Sequence, residues 1–187
     1  QKPLNSKEGW ALSAWVKRQD AAAGPLISTM NYATPRSAGG YGAGAEVGLT
    51  SKGEVEVRLA VRWPAYATHV ISRRVLAANE WGHVSVVVTG NAARNVRIFV
   101  DGIESATIVR HDGLTGDVTI DGPVRVGHAN RKKDKPFAGE IHRLQMTAGP
   151  IDPAAFESAI EGEIARFSAE ATAMPRQLSR SQELITS

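Results

Sequence analysis

The stretch that decides the fold is Glu54-Val55-Glu56-Val57-Arg58-Leu59-Ala60-Val61. Its odd-numbered positions are all apolar, and its even-numbered positions are mostly charged. Because side chains alternate between the two faces of a strand, this pattern predicts a β-strand. One face of that strand would pack into a core, and the other face would meet water.

Similar alternation recurs along the first 150 residues, separated by turn residues. Asp101-Gly102 lies between two such runs, and Asp-Gly in that position is a strong hairpin signal. Predicted strands cover residues 10–17, 25–32, 45–50, 54–61, 68–72, 82–89, 95–100, 103–109, 124–127 and 139–148. About ten short strands with turns between them predict an all-β antiparallel sandwich or barrel, not a βαβ fold.

The pattern changes after Gly149-Pro150. Asp152-Pro153 is typical of a helix start, with an N-cap followed by proline at the first helical position. Apolar residues then recur at helical spacing, at Phe156, Ile160, Ile164 and Phe167. The pattern predicts a helix to about Ala173 that ends at Pro175, and a second helix that begins near Ser179.

Length and composition narrow the possible classes. The 187 residues are predicted to form a sandwich at 1–150, followed at 151–187 by a helix and the start of a linker to a following domain. Because the chain begins with Gln1, we expect it to be a segment of a longer protein. It has no cysteine, which excludes disulfides, thiolate metal sites and cysteine nucleophiles. A net charge of +3 is too small for a dedicated nucleic-acid binder, and no apolar run approaches a membrane span.

Catalytic patterns receive little support from the sequence. Glu54 and Glu56 share a predicted strand face, and retaining glycoside hydrolysis needs a pair of carboxyl groups. The glucanase pattern on this architecture has a third acid at the next outward position, where this chain has Arg58. We therefore interpret these residues as a solvated strand face. The five histidines share no metal-ligand spacing, and His83 is predicted to be half-buried and structural.

The aromatic residues indicate a binding site. Trp10, Trp15 and Trp81 are expected in the core, but Trp63 belongs to the predicted loop 62–66. A Trp and a Tyr on a loop can form an apolar platform with polar tips, which suits the apolar face and hydroxyl edges of a sugar ring. The alternative is that Trp63 folds back over the edge of the sandwich. The candidate glycan-binding residues are Trp63, Tyr66, His69, Tyr41, Arg62, Arg131 and Lys132.

Arg131 and Lys132 enter this set because residues 131–135 carry four positive charges and one negative charge. Such runs are usually solvated loops. If this loop lies beside Trp63, it would favour an anionic ligand such as a sulfated or carboxylated polysaccharide.

An ordered series of phrases resembles the laminin G-like, concanavalin A-like family. The phrases are Leu12-Ser13-Ala14-Trp15-Val16, Gly24-Pro25-Leu26-Ile27-Ser28, Asn79-Glu80-Trp81-Gly82-His83-Val84, Val96-Arg97-Ile98-Phe99-Val100-Asp101-Gly102, Val124-Arg125-Val126-Gly127 and Phe137-Ala138-Gly139-Glu140-Ile141. The resemblance covers about residues 10–160 and implies an antiparallel jelly-roll β-sandwich with a C-terminal helix. Some relatives bind calcium through acids on loops. The chain shows no acid cluster of that kind, and His142 replaces the usual Asp of the late strand, so we expect no cofactor.

A narrower similarity involves Arg62-Trp63-Pro64 with residues 68–73, and the tail at 152–186. These segments resemble the laminin G-like module embedded in large planctomycete proteins that also carry cytochrome c domains. This resemblance implies an exported, periplasmic or cell-surface setting, with haem chemistry in other domains.

Together these observations lead to three functional hypotheses. The first is a non-catalytic, lectin-like carbohydrate-binding module of a larger exported protein. Its partner would be a polysaccharide or other glycan, and an anionic polysaccharide is one candidate. The second is a structural or protein–protein interaction module that spaces neighbouring domains. The third is a glycoside hydrolase.

Overall fold

The computed structural model of the chain describes residues 4–31, 42–120, 123–129 and 136–185. Within these ranges the chain forms thirteen β-strands, a short 3-10 turn at Ala93–Asn95 and one α-helix. In chain order, the elements are β1 (Leu4–Asn5), β2 (Trp10–Arg18), β3 (Gly24–Ser28), β4 (Gly44–Leu49), β5 (Glu54–Arg62), β6 (Tyr66–Val75), β7 (Trp81–Val88), β8 (Val96–Val100), β9 (Ile103–Ser105), β10 (Thr107–Asp112), β11 (Thr119–Ile120), β12 (Arg125–Val126), β13 (Gly139–Ala148) and α1 (Pro153–Ile185).

The strands form two main antiparallel sheets. One sheet has six strands in the order β10-β6-β5-β4-β3-β12, and the other has five in the order β13-β2-β7-β8-β9. Strands β1 and β11 form a small separate pair. The predicted all-β antiparallel sandwich with a C-terminal helix is therefore confirmed.

The core consists of the inward-facing residues of both sheets. On β5, for example, Val55, Val57 and Leu59 are buried, as the alternation of the sequence predicts. They belong to one apolar cluster with residues of β2, β7 and β8 from the other sheet. Burying each aliphatic side chain of this kind stabilises the fold by about 1.5–3 kcal/mol.

Two predictions about single residues of the sandwich are wrong. Trp81 is 37% exposed, and its ring lies edge-on to His142 with the centroids 6.3 Å apart. It stands at the first position of β7, where the strand has not yet entered the core, whereas Trp10 and Trp15 are buried as expected. His83 was expected to be half-buried, but it is fully buried and contacts Trp15 edge-on at 5.1 Å.

The chain divides into two compact units, Gln1–Ile151 and Asp152–Ser187. Asp152 caps α1, because its Oδ1 accepts a hydrogen bond of 3.0 Å from the backbone N–H of Ala154. The prediction that this helix ends at Pro175 is wrong, since α1 continues to Ile185. A proline removes one backbone hydrogen bond and can bend a helix without ending it, and the residues that follow Pro175 are good helix formers.

No helix in the described ranges combines the length and apolar character that crossing a bilayer requires.

Candidate functional site

A row of polar residues crosses the six-stranded sheet on its outer face, opposite the core. Adjacent strands place its members side by side in the register Arg125, Ser28, Glu46, Arg58, His69 and His111. We call this set the polar row. Because neighbouring strands lie about 4.8 Å apart, its five steps span roughly 24 Å. The row arises because side chains alternate between the two faces of a strand. The chain neighbours of these polar residues, such as Val47, Val57 and Val70, face the core.

An ion network occupies the centre of the polar row. The guanidinium of Arg58 donates from Nη1 to Oε1 of Glu46 and from Nη2 to Oε2 of Glu56, both at 2.7 Å. Nε2 of His69 lies 3.3 Å from the same Glu56 oxygen, and the hydroxyl of Ser28 donates to Glu46 at 2.8 Å. The side chains of Glu56 and Arg58 are only 12% and 19% exposed. The interpretation of this strand face as solvated is therefore wrong, because the charged groups bind one another.

Trp63 lies against this network. Its indole packs on a small apolar cluster of Met30, Ala60 and Ala67 and is half-buried. Cζ of Arg58 lies 5.3 Å from the indole centroid, and the rings of His69 and His111 meet it edge-on at 5.4 and 5.6 Å. Ala60 and Ala67 are partners across β5 and β6, and their small side chains leave room for the indole above the sheet.

The two histidines beside Trp63 also contact each other. The rings of His69 and His111 stack with their centroids 6.0 Å apart, and their strands place them directly opposite each other. The backbone N–H of Trp63 donates to the carbonyl of Gly42 at 3.0 Å, which ties the loop after β5 to the segment just before β4. We call Trp63, His69, His111 and Arg58 the aromatic cluster.

The structure brings together only some of the predicted site residues. Trp63 and His69 are in contact, and Tyr66, at 48% exposure, and the exposed Arg62 flank the same turn. Trp63 folds back, as the alternative interpretation held, but onto the outer face of the sheet and not over its edge. Tyr41, Arg131 and Lys132 lie outside the described residues, and their part in a site stays a prediction.

Sequence reasoning missed three residues of this site, namely Glu46, Arg58 and His111. Each is a polar residue at an outward position of its strand, which was visible in the sequence. Their meeting depends on the register between strands that are distant in the chain, and alternation within one strand does not reveal that register.

The pKa of Glu56 reflects its place in the network. Burial opposes ionisation of this carboxyl group, but the hydrogen bond with His69 and the charge of Arg58 outweigh it. The pKa therefore lies below its ordinary value of 4.5. Glu56 consequently stays ionised at neutral pH, and its charge stabilises the fold only while it is ionised.

This pKa predicts a dependence of stability on acid pH. Because the folded-state pKa is lowered, the contribution of Glu56 is complete above pH 4.5 and is lost as pH falls through the folded-state value. Urea unfolding from pH 7 to pH 2 should show this loss, and the Glu56→Gln variant should lose less stability than the wild type over that range. Parallel curves for the two proteins would show that Glu56 makes no such contribution.

The described residues do not fit a metal site. None of them forms a group of three or more His, Asp or Glu side chains that could hold a metal ion.

The two facing antiparallel sheets define the chain as a jelly-roll β-sandwich. Residues 1–154 match the family model described as the concanavalin A-like lectin/glucanases superfamily, and the chain belongs to that superfamily. No curated protein has a significantly similar sequence.

Solved structures share this fold at low sequence identity. The CBM40 domain of the Ruminococcus gnavus IT-sialidase, bound to α2,3-sialyllactose, superposes with a TM-score of 0.59 at 17% identity, over 82% of this chain and 83% of that one. A heptameric SAP-like pentraxin from Limulus polyphemus gives 0.53 at 15% identity, over 81% and 69%. Cell entry of botulinum neurotoxin type C depends on interaction with two ganglioside molecules. A structure of this toxin gives a TM-score of 0.50 at 14% identity, over 83% of this chain and 36% of that one.

Proposed function

We propose that this sandwich is a non-catalytic carbohydrate-binding module whose ligand lies on the outer face of the six-stranded sheet, around Trp63. The observation that carries the proposal is the aromatic cluster, where a half-buried indole is surrounded by hydrogen-bonding groups of the polar row. An apolar ring surface beside fixed donors and acceptors matches a sugar, which has an apolar face and hydroxyl edges.

Two structural neighbours that interact with carbohydrate-containing molecules support this proposal. One neighbour is a sialidase CBM40 domain with sialyllactose bound, and another depends on gangliosides for cell entry. Their identities to this chain are too low to transfer a ligand, so the choice of sugar has to come from this chain's own residues. The proposal includes the exported, periplasmic or cell-surface setting and the attachment to neighbouring domains that the family resemblance implies.

A hydrolytic function receives less support from the same face. A glycoside hydrolase needs one carboxyl group whose pKa is raised so that it can donate a proton near neutral pH. The pKa of Glu56 is lowered instead, because His69 and Arg58 stabilise its ionised form. Glu56 is therefore unsuited to act as the general acid, and we assign it a binding role.

The proposal predicts that binding of polysaccharide depends on Trp63 and Tyr66. In affinity electrophoresis through gels containing neutral or sulfated polysaccharides, the wild type should be retarded by at least one of them. Trp63→Ala should weaken that binding roughly ten- to thirtyfold, as truncation of a central aromatic residue does at other interfaces. Tyr66→Ala should weaken it less, because this side chain lies at the exposed margin.

Trp81 provides a matched control. It is an exposed tryptophan on the other sheet, so Trp81→Ala should leave retardation unchanged. Trp63→Phe retains an apolar ring on Met30, Ala60 and Ala67 and separates loss of binding from loss of packing. If no polysaccharide retards the wild type, the glycan proposal is wrong, and the hypothesis of a spacing module that contacts neighbouring domains becomes the better one.

A further inference from the structure

Among the residues that the structure describes, the one guanidinium at the centre of the polar row is already bound by carboxylates. Arg58 is the guanidinium that lies over the Trp63 ring, and each of its two terminal nitrogens already binds a carboxylate. One positive charge therefore stands against the two negative charges of Glu46 and Glu56. Protonation of His69 would at most bring the sum of these four groups to zero.

This charge arrangement disfavours binding of an anionic group of a ligand beside Trp63. To reach a terminal nitrogen of Arg58 it would have to displace Glu56 or Glu46 and leave a largely buried carboxylate without its partner. The remaining Nε of Arg58 is itself buried from solvent. The other guanidinium of the row, Arg125, is three strands from Arg58, or roughly 14 Å. An anionic group held by Arg125 would therefore lie on a different unit of an extended ligand.

A neutral sugar unit meets the same groups favourably. An ionised carboxylate has about four lone-pair directions, and Glu56 contacts both Arg58 and His69 through the same oxygen, Oε2. Hydroxyl groups of a sugar can donate to the remaining directions without displacing the guanidinium. The partial burial of the network strengthens such hydrogen bonds.

Given the proposed function, we propose that the aromatic cluster binds a neutral, hydroxyl-rich sugar unit and that Glu56, with Glu46, excludes anionic groups from Arg58. Glu56 is thus a specificity-determining residue that sets the charge preference of the face.

The test uses pairs of polysaccharides that differ only in sulfation, namely dextran with dextran sulfate and laminarin with sulfated laminarin. Affinities are measured by biolayer interferometry on the whole chain at 0.15 M NaCl, where long-range attraction between exposed charges is screened. For at least one pair, the wild type should bind the neutral member at least tenfold more tightly than the sulfated member. Glu56→Gln should raise the affinity for the sulfated member about five- to tenfold.

Glu54→Gln is the matched control for this change. Glu54 lies two residues away on the same strand and accepts a hydrogen bond from Thr50, outside the network around Arg58. The Glu54→Gln variant loses the same charge as Glu56→Gln. Because Glu54 lies outside the network, its replacement should change the affinity for the sulfated member less than twofold. An equal gain in both variants would mean that only net charge matters, and the proposal for Glu56 would be wrong.

The comparison within the wild type decides the proposal even if the Glu56 variant fails to fold. Tighter binding of the sulfated members would overturn the neutral-sugar assignment and leave the carbohydrate-binding function intact. Absence of binding to all four polysaccharides and across a wider glycan array would overturn the carbohydrate-binding function itself.

Discussion

Replacing Arg58 with Met is expected to lower the free energy of unfolding by about 3 kcal/mol, because it leaves two carboxylates without their partner. Glu46 is buried, and its two oxygens are bound to Arg58 and Ser28. Glu56 would retain only His69. Urea unfolding at pH 7 measures the loss, and the methionine side chain keeps most of the arginine's apolar stem.

The expected loss depends on pH in a direction that identifies its cause. When Arg58 is absent, the two carboxyl groups of the variant can relieve their repulsion by taking up a proton as the pH falls. The difference in stability between wild type and variant should therefore shrink between pH 7 and pH 4. A difference that stays constant over this range would point to lost packing against Trp63 and not to unpaired charge.

Arg97 is the control for this prediction. It also binds a carboxylate through two nitrogens, at 2.8 and 2.7 Å from Glu104, but the glutamate is half exposed. Arg97→Met should cost no more than about 1 kcal/mol, as exposed ion pairs do. A loss as large as that of Arg58→Met would show that the burial of the network has no special effect.

The fold could be predicted from the sequence because each strand carries its own signal. The alternation of Val55, Val57 and Leu59 with charged residues determines which face of β5 is buried, and the structure agrees. The tail is harder to predict, because Pro175 favours the end of a helix although α1 continues to Ile185. A single proline weakens a helix locally, but the neighbouring residues decide whether it continues.

The candidate site could be predicted only in part. Trp63 stood out because it lies in a loop, and its contact with His69 required only the short turn between two consecutive strands. Glu46 and His111 reach the site from β4 and β10, which are far apart in the sequence. Their position depends on strand order and register in three dimensions, and the charge balance of the face depends on that position.

Core packing and ligand binding should be separable on β5, because successive residues face opposite sides of the sheet. Leu59→Ala is expected to lower the free energy of unfolding by about 2–5 kcal/mol, since Leu59 is fully buried and its removal leaves a cavity between the sheets. Val61, two residues further on the same strand, is 46% exposed, so Val61→Ala should change stability by about 0.5 kcal/mol. Urea unfolding curves of the two variants measure both changes.

Polysaccharide affinity gives the second readout of the same variants. Leu59 faces the core and contributes nothing to the polar row, so Leu59→Ala should bind glycan like the wild type at any temperature where it remains folded. Arg58, its neighbour in the chain, belongs to the aromatic cluster, and its replacement should change affinity as well as stability. If Leu59→Ala lost affinity in proportion to its stability, binding would depend on the rigidity of the whole sandwich. The proposal that core packing and ligand binding are separable on β5 would then be wrong.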